Sequence, residues 1–250
     1  MFVFVQRGGW ALMRIALFSD VHANLHALQA MLADVEGLGV DQVYCLGDLV
    51  GYGAYPNEVI ALVRDRGIPT IMGNYDQGIA FAMGDCGCAY KTPEARRLGQ
   101  RAYRWTEEHV TAESRAFLRS LPPGLRFVLD GRRVMLVHGS PRRINEYFYE
   151  DRPEASFARL AQASETDVLV MGHTHLPYSK EVAGVLFANA GSVGKPKDGD
   201  ARAAYILLEV GDRVEVKVRR VAYDVAAATA AVRASSLPPE LAAMLESATG

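Results

Sequence analysis

The chain has 250 residues, half of them apolar and 22% charged, with a formal net charge of −2. This length suits one well-buried domain, and the composition is that of an ordinary globular protein. The near-neutral balance lacks the positive field of a non-specific nucleic-acid binder, and no apolar stretch reaches the length of a membrane span. Three cysteines are too few, and odd in number, for a disulfide framework, so a reducing, cytoplasmic setting is expected. Cys86 and Cys88 flank Gly87 without a second ligand pair nearby and read as unpaired loop thiols.

Residues 1–13 lack the charged-then-apolar order of a signal peptide and read as an N-terminal extension outside the core; residues 14–250 read as one domain. Ile15-Ala16-Leu17-Phe18 suits a strand buried on both faces. Asn24 can cap a helix in which Leu25, Leu28, Leu32 and Val35 recur at helical spacing, with Gly37 and Gly39 ending it. Gln42 to Leu46 is a second buried strand, Pro56 opens a helix carrying Val59, Ile60 and Val63 on one side, and Ile68 to Met72 predicts a third strand. Three such units in a row imply parallel strands with crossover helices.

Residues 77–121, rich in Arg, Glu and Ala, then read as a helical insertion. Leu125–Leu129 and Arg133–Val137 predict a hairpin about Asp130-Gly131. A helix near Ala155 leads to a strand ending at Met171, and short strands with Gly turns follow to Arg220, suggesting antiparallel pairing. From Asp224 the chain is Ala-rich and helical, interrupted by Pro238 and Pro239.

Nearly every predicted strand ends in a polar cluster. The first delivers Asp20-Val21-His22, the second Gly47-Asp48, the third Gly73-Asn74-Tyr75-Asp76, and later strands His138-Gly139 and Gly172-His173-Thr174-His175. Ligands of open α/β sheets bind at the carboxyl ends of the strands. Imidazole and carboxylate together suit first-row divalent ions and need no thiolate. Each cluster alone is weak, because Gly-Asp is common and a lone histidine is often a core residue. Their joint occurrence, each at a strand end, points to metal-assisted chemistry.

In that order, with Gly47-Asp48-Leu49-Val50-Gly51 and Asn189-Ala190-Gly191-Ser192, the clusters resemble the signature blocks of the calcineurin-like metallophosphoesterases. Among these the chain looks nearest to the small bacterial and archaeal phosphodiesterases and the diadenosine-tetraphosphatase-like proteins. The resemblance implies an α/β fold, a four-layer αββα sandwich of two mixed β-sheets. It implies one ion held by Asp20, His22 and His175, a second by Asn74, His138 and His173, and Asp48 bridging them. Mn²⁺ is the expected ion, with Fe, Zn or Ni as alternatives, and a hydroxide between the ions would attack phosphorus. The implied activity is a phosphodiesterase acting on phosphate esters or nucleotide anhydrides.

Tyr75 stands where many relatives carry the histidine assigned as leaving-group acid. With an ordinary pKa of about 10 it is a sluggish acid near neutrality, which favours substrates with good leaving groups. Asp48, Asn74 and Tyr75 are therefore the expected catalytic group. Arg142, Arg143 and Lys195, with Lys197, are candidates for holding phosphate oxygens. The expected partner is a small phosphorylated substrate such as a nucleotide; homo-oligomerisation is left open, and neither nucleic acid nor membrane is expected. The competing readings are a non-catalytic metal-binding scaffold and a metal-dependent hydrolase of non-phosphorus substrates.

Overall fold

The computed structural model describes residues 3–5 and 13–249. In chain order the first elements are β1 (Val3–Val5), β2 (Met13–Phe18), α1 (Leu25–Leu38), β3 (Gln42–Cys45), α2 (Pro56–Asp65) and α3 (Asn74–Ala80). Next come α4 (Pro93–His109), α5 (Ala112–Ser120), β4 (Gly124–Leu129), β5 (Arg132–Val137), α6 (Glu154–Ser164) and β6 (Val168–Met171). The chain closes with β7 (Tyr178–Val182), β8 (Val185–Asn189), β9 (Ala203–Val210), β10 (Val214–Val221), α7 (Val225–Ala234) and α8 (Glu240–Ser247).

The strands form a six-stranded sheet in the order β1-β4-β5-β6-β8-β7 and a four-stranded sheet in the order β10-β9-β2-β3. Both are mixed. β2 runs parallel to β3 and antiparallel to β9, while β6 runs parallel to β5 and β8, and β8 antiparallel to β7. Of the expected N-terminal extension, Val3–Val5 pairs parallel with β4 and adds an edge strand to the larger sheet.

Side-chain alternation along the strands explains the layering. Ile15 and Leu17 of β2 pack with Ile206 and Leu208 of β9 and, across the gap, with Phe127, Val134, Val168 and Val170 of the other sheet. The intervening Ala16 and Phe18 point the other way, onto Leu28, Met31 and Val35 of α1 and Val59 and Val63 of α2. In the larger sheet Leu169 and Met171 turn outward onto Phe157 and Leu160 of α6. Helices therefore cover both outer faces, and two sheets meet in the middle. Each fully buried side chain of this size contributes about 1.5–3 kcal/mol.

Asn24 caps α1, accepting the Ala27 N–H at 3.1 Å, and the helix ends at Gly39 with φ at +61°. The third strand expected at Ile68–Met72 shrinks to a single parallel bridge between Thr70 and Cys45. Pro69 supplies a carbonyl to Cys45 but has no N–H to return, and Met72 already donates to the Pro122 carbonyl. The segment still delivers Asn74 to the mouth of the sheet. In the 77–121 region, Ala102 and Trp105 of α4 pack against Val232, Leu237, Leu241 and Leu245, tying this region to the C-terminal helices. No helix among the described residues is long and apolar enough to cross a membrane.

Candidate metal centre

The loops leaving β2, β3 and β6 turn sharply and carry their polar residues on strained backbone. Asp20, His22, Asp48, His173 and His175 all have φ between +48° and +65°. Non-glycine residues avoid this region, and such strain collects where surrounding structure fixes a functional geometry. Glycines complete the turns: at Gly47, with φ at +89°, an added Cβ would lie 2.3 Å from the Gly73 nitrogen.

These turns bring the polar ends into two groups. Asp20, His22 and His175 form one, and Asp48, His138 and His173 the other, with ligand atoms within 4.8 Å of one another in each group. His175 Nε2 lies 3.2 Å from Asp20 Oδ1 and 3.2 Å from His22 Nε2. Asp48 Oδ2 joins the groups, 3.7 Å from His22 Nε2 and 3.4 Å from His138 Nε2. Asn74, at the first turn of α3, places Oδ1 3.0 Å from His138 Nε2. All of these residues are buried.

Three of the imidazoles are oriented by backbone carbonyls. His22 Nδ1 pairs with the Val50 carbonyl, His138 Nδ1 with that of Leu46, and His175 Nδ1 with that of Lys195, which leaves each Nε2 facing inward. This is how metal-binding histidines are commonly set. The donor set fits divalent ions on two further counts. Asp20 Oδ1 and His173 Nε2 are buried without a hydrogen-bond partner among the described residues. With their protons on Nδ1, the facing Nε2 atoms of His22 and His175 present two lone pairs to each other, and an ion beside them removes the conflict.

Electrostatics set the protonation of these groups. Burial, and then the charge of His138, push His173 down to about 3. Burial, and then Lys197, do the same to His175, so both imidazoles are neutral and free to ligate. At His138 burial opposes protonation, but the charge and hydrogen bond of Asp48 outweigh it and raise the imidazole to about 9. Burial opposes ionisation of Asp20 and Asp48, yet their histidine neighbours hold both carboxyls below the usual range.

Asp76, the last residue of the third cluster, anchors the loop. Its carboxylate accepts the backbone N–H groups of Asp48 at 2.8 Å, Leu49 at 2.9 Å and Gly73 at 3.1 Å. Burial, and then the charge of Asp48, raise it to about 7. Ser192 donates to the Asp20 carbonyl and accepts from the Lys195 N–H, so the late Gly-Ser loop braces the first cluster.

The other predicted residues divide. Tyr75 is fully buried among His22, Tyr52 and Tyr103, its hydroxyl without a hydrogen-bond partner among the described residues and held far above an ordinary tyrosine by burial. Its backbone N–H donates to Asp48 Oδ1 at 2.8 Å. Arg142 is engaged by Glu146 through both Nε and Nη2, while Arg143 is exposed beside it. Lys195 is buried with its ammonium 5.0 Å over the ring of Tyr52, which packs edge-on against His22. Burial, and then Lys197, lower Lys195 to about 7. The Tyr147 ring lies 4.0 Å from that of His173.

Cys86 and Cys88 are not free thiols: a disulfide joins them across Gly87. Two cysteines separated by one residue carry no recognisable framework signal, so spacing alone could not reveal the pairing. Their loop packs on the centre, with Asn74 Nδ2 donating to the Cys86 carbonyl at 2.8 Å.

A carboxylate shared between two buried histidine clusters, at the carboxyl ends of strands in a two-sheet sandwich, defines the metal-dependent phosphoesterase class. The chain belongs to the calcineurin-like phosphoesterase superfamily, whose domain model matches residues 13–213. It is 32% identical over 241 residues to the protein MJ0912 of Methanocaldococcus jannaschii, covering 90% of this chain and 93% of that one. It is 26% identical to the phosphodiesterase YfcE of Escherichia coli over 79% of this chain and 88% of YfcE. A metallophosphoesterase from Sphaerobacter thermophilus superposes with a TM-score of 0.76 at 35% identity, over 96% of this chain and all of its own. Proteins of this superfamily use divalent metals, and both candidate triads lie where the sequence clusters converge.

Proposed function

We propose that the chain is a two-metal phosphodiesterase acting on small phosphate esters or nucleotide anhydrides, with Mn²⁺ as the favoured ion. Asp48 carries this reading: one carboxylate oxygen lies within 3.7 Å of a histidine in each cluster. Such an arrangement serves two ions about 3.5–4 Å apart. Asp20, His22 and His175 would hold one ion, Asn74, His138 and His173 the other, and Asp48 both. The similarity to YfcE, named a phosphodiesterase, favours diesters over monoesters.

Bound ions supply Lewis-acid activation of water and of the phosphoryl oxygens. The protein supplies the rest. Carbonyl contacts to Nδ1 hold the imidazoles in the tautomer that presents Nε2. Lys195, buried beside the first cluster, has no carboxylate partner among the described residues and is the favoured contact for a phosphate oxygen. Arg142 is committed to Glu146 and contributes less. Tyr75 acts through its N–H on Asp48 rather than through its hydroxyl, which suits substrates whose leaving groups need no proton.

The test is hydrolysis of bis-p-nitrophenyl phosphate and p-nitrophenyl phosphate with added Mn²⁺, beside an Asp48→Ala variant. Metal-dependent turnover of the diester is expected. Its loss in the variant should exceed the roughly 10–100-fold typical of changes in outer partners of metal ligands. Equal turnover in wild type and variant would refute the shared-carboxylate centre, and preference for the monoester would reverse the substrate assignment.

A further inference from the structure

Asn74 is held at both ends. Its Oδ1 faces His138 Nε2 at 3.0 Å, while its Nδ2 donates to the Cys86 carbonyl at 2.8 Å and faces Cys88 Sγ at 3.3 Å. An asparagine side chain has a donor end and an acceptor end, and only the oxygen suits a divalent ion. Whatever fixes Nδ2 therefore fixes which end the metal position meets.

The acceptors that fix it belong to one small covalent ring. Cys86 and Cys88 are bonded across Gly87, with Cα atoms 5.4 Å apart. Gly87, with φ at +66°, donates its N–H to Asp85 at 2.6 Å and accepts from Asn145 Nδ2 at 3.0 Å. An added Cβ there would lie 2.7 Å from Asn145 Nδ2, so the loop is closed by the disulfide and clamped from outside. In the bonded state the Cys88 sulfur can only accept. After reduction a thiol at Cys88 would turn a second donor toward the Asn74 amide, and the Cys86 carbonyl would ride on an open loop.

We propose that Cys86–Cys88 is a thiol–disulfide modification site that sets, through the Cys86 carbonyl and Asn74, how tightly the second metal position holds its ion. The proposal rests on the two-ion reading given above. The co-reactant is a dithiol. One of its thiolates attacks the half-buried Cys88 sulfur, forming a mixed disulfide and releasing Cys86 as thiolate. The Tyr90 hydroxyl, 3.6 Å from Cys86 Sγ, is placed to donate to that thiolate. The second thiol of the dithiol then displaces Cys88, so the pair gains two electrons and two protons and the dithiol leaves as a disulfide. Cys45 stays outside this chemistry, since it is fully buried and burial raises its thiol well above the ordinary value.

The full-length protein is equilibrated with oxidised glutathione, or reduced with tris(2-carboxyethyl)phosphine that is then removed. Each sample is split between alkylation after unfolding and equilibrium dialysis against Mn²⁺. Oxidised protein should alkylate at Cys45 alone and reduced protein at all three cysteines. Reduction should weaken one of the two Mn²⁺ sites by about tenfold or more, the scale of outer-partner effects on metal ligands. Reoxidation should restore it. A Cys86→Ser/Cys88→Ser protein should match the reduced form and ignore reductant, and Cys45→Ser should keep the full response. Three free thiols after glutathione treatment, or equal Mn²⁺ affinity in both states, would overturn the proposal while leaving the two-ion site standing. Failure of both forms, the oxidised one included, to bind two ions would overturn both.

Discussion

The carboxylate of Asp76 accepts the backbone N–H of Asp48 at 2.8 Å, so one buried acid holds the loop of another. Leu49 and Gly73 donate to the same carboxylate. Replacing Asp76 by Ala strands these donors, and an unpaired buried group costs about 1–3 kcal/mol. The expected outcome is a loss of at least about 2 kcal/mol in urea unfolding of the metal-free protein, together with weaker Mn²⁺ binding. An unchanged midpoint would show that the loop holds itself.

Metal binding should release a proton. In the metal-free protein the charge of Asp48, against burial, keeps His138 protonated up to about 9. A ligating imidazole must be neutral, so proton and ion compete. Raising the pH from 7 toward 9 should strengthen Mn²⁺ binding by about tenfold per pH unit for one released proton, flattening above 9. Calorimetry at pH 7.5 in buffers of different ionisation enthalpy counts the proton directly. A binding enthalpy independent of buffer would place His138 outside the ion's reach.

Lys195 should matter more than Arg142. A charge-assisted hydrogen bond is worth about 1.5–3 kcal/mol, so Lys195→Met should lower kcat/KM for bis-p-nitrophenyl phosphate by about 10–100-fold. Arg142→Met, which breaks a pair with Glu146, should change it by less than about threefold. Burial holds Lys195 near 7, so the ratio of wild type to Lys195→Met should be largest below that pH and shrink above it. A ratio that stays constant from pH 6 to 8.5 would mean the ammonium does not contact the substrate.

Tyr75→Phe should be nearly silent. The hydroxyl is buried and unpaired among the described residues, so its removal relieves a desolvated group instead of breaking a bond. Thermal stability should hold or rise, and kcat should stay within about threefold, since a general acid contributes 10²–10⁴-fold and an idle hydroxyl nothing. A hundredfold fall in kcat would instead assign the leaving-group proton to this tyrosine.

The alternation of Ile15 and Leu17 against Ala16 and Phe18 made β2 legible as a strand buried on both faces, because side-chain direction follows local backbone geometry. The convergence of Asp20, His22, Asp48, Asn74, His138, His173 and His175 was legible for a similar reason: each follows a strand-like segment, and strand ends share one edge of a sheet. Relationships between distant segments were not. Tertiary packing decided that Asp76 clamps the Asp48 loop, that Glu146 takes Arg142 and that the Tyr75 hydroxyl has no partner among the described residues. It also shortened the Ile68–Met72 strand to one bridge and closed Cys86 onto Cys88. Residue type and spacing fix which groups a loop can offer. Which of them meet, and which lose their water, depends on where the chain folds back.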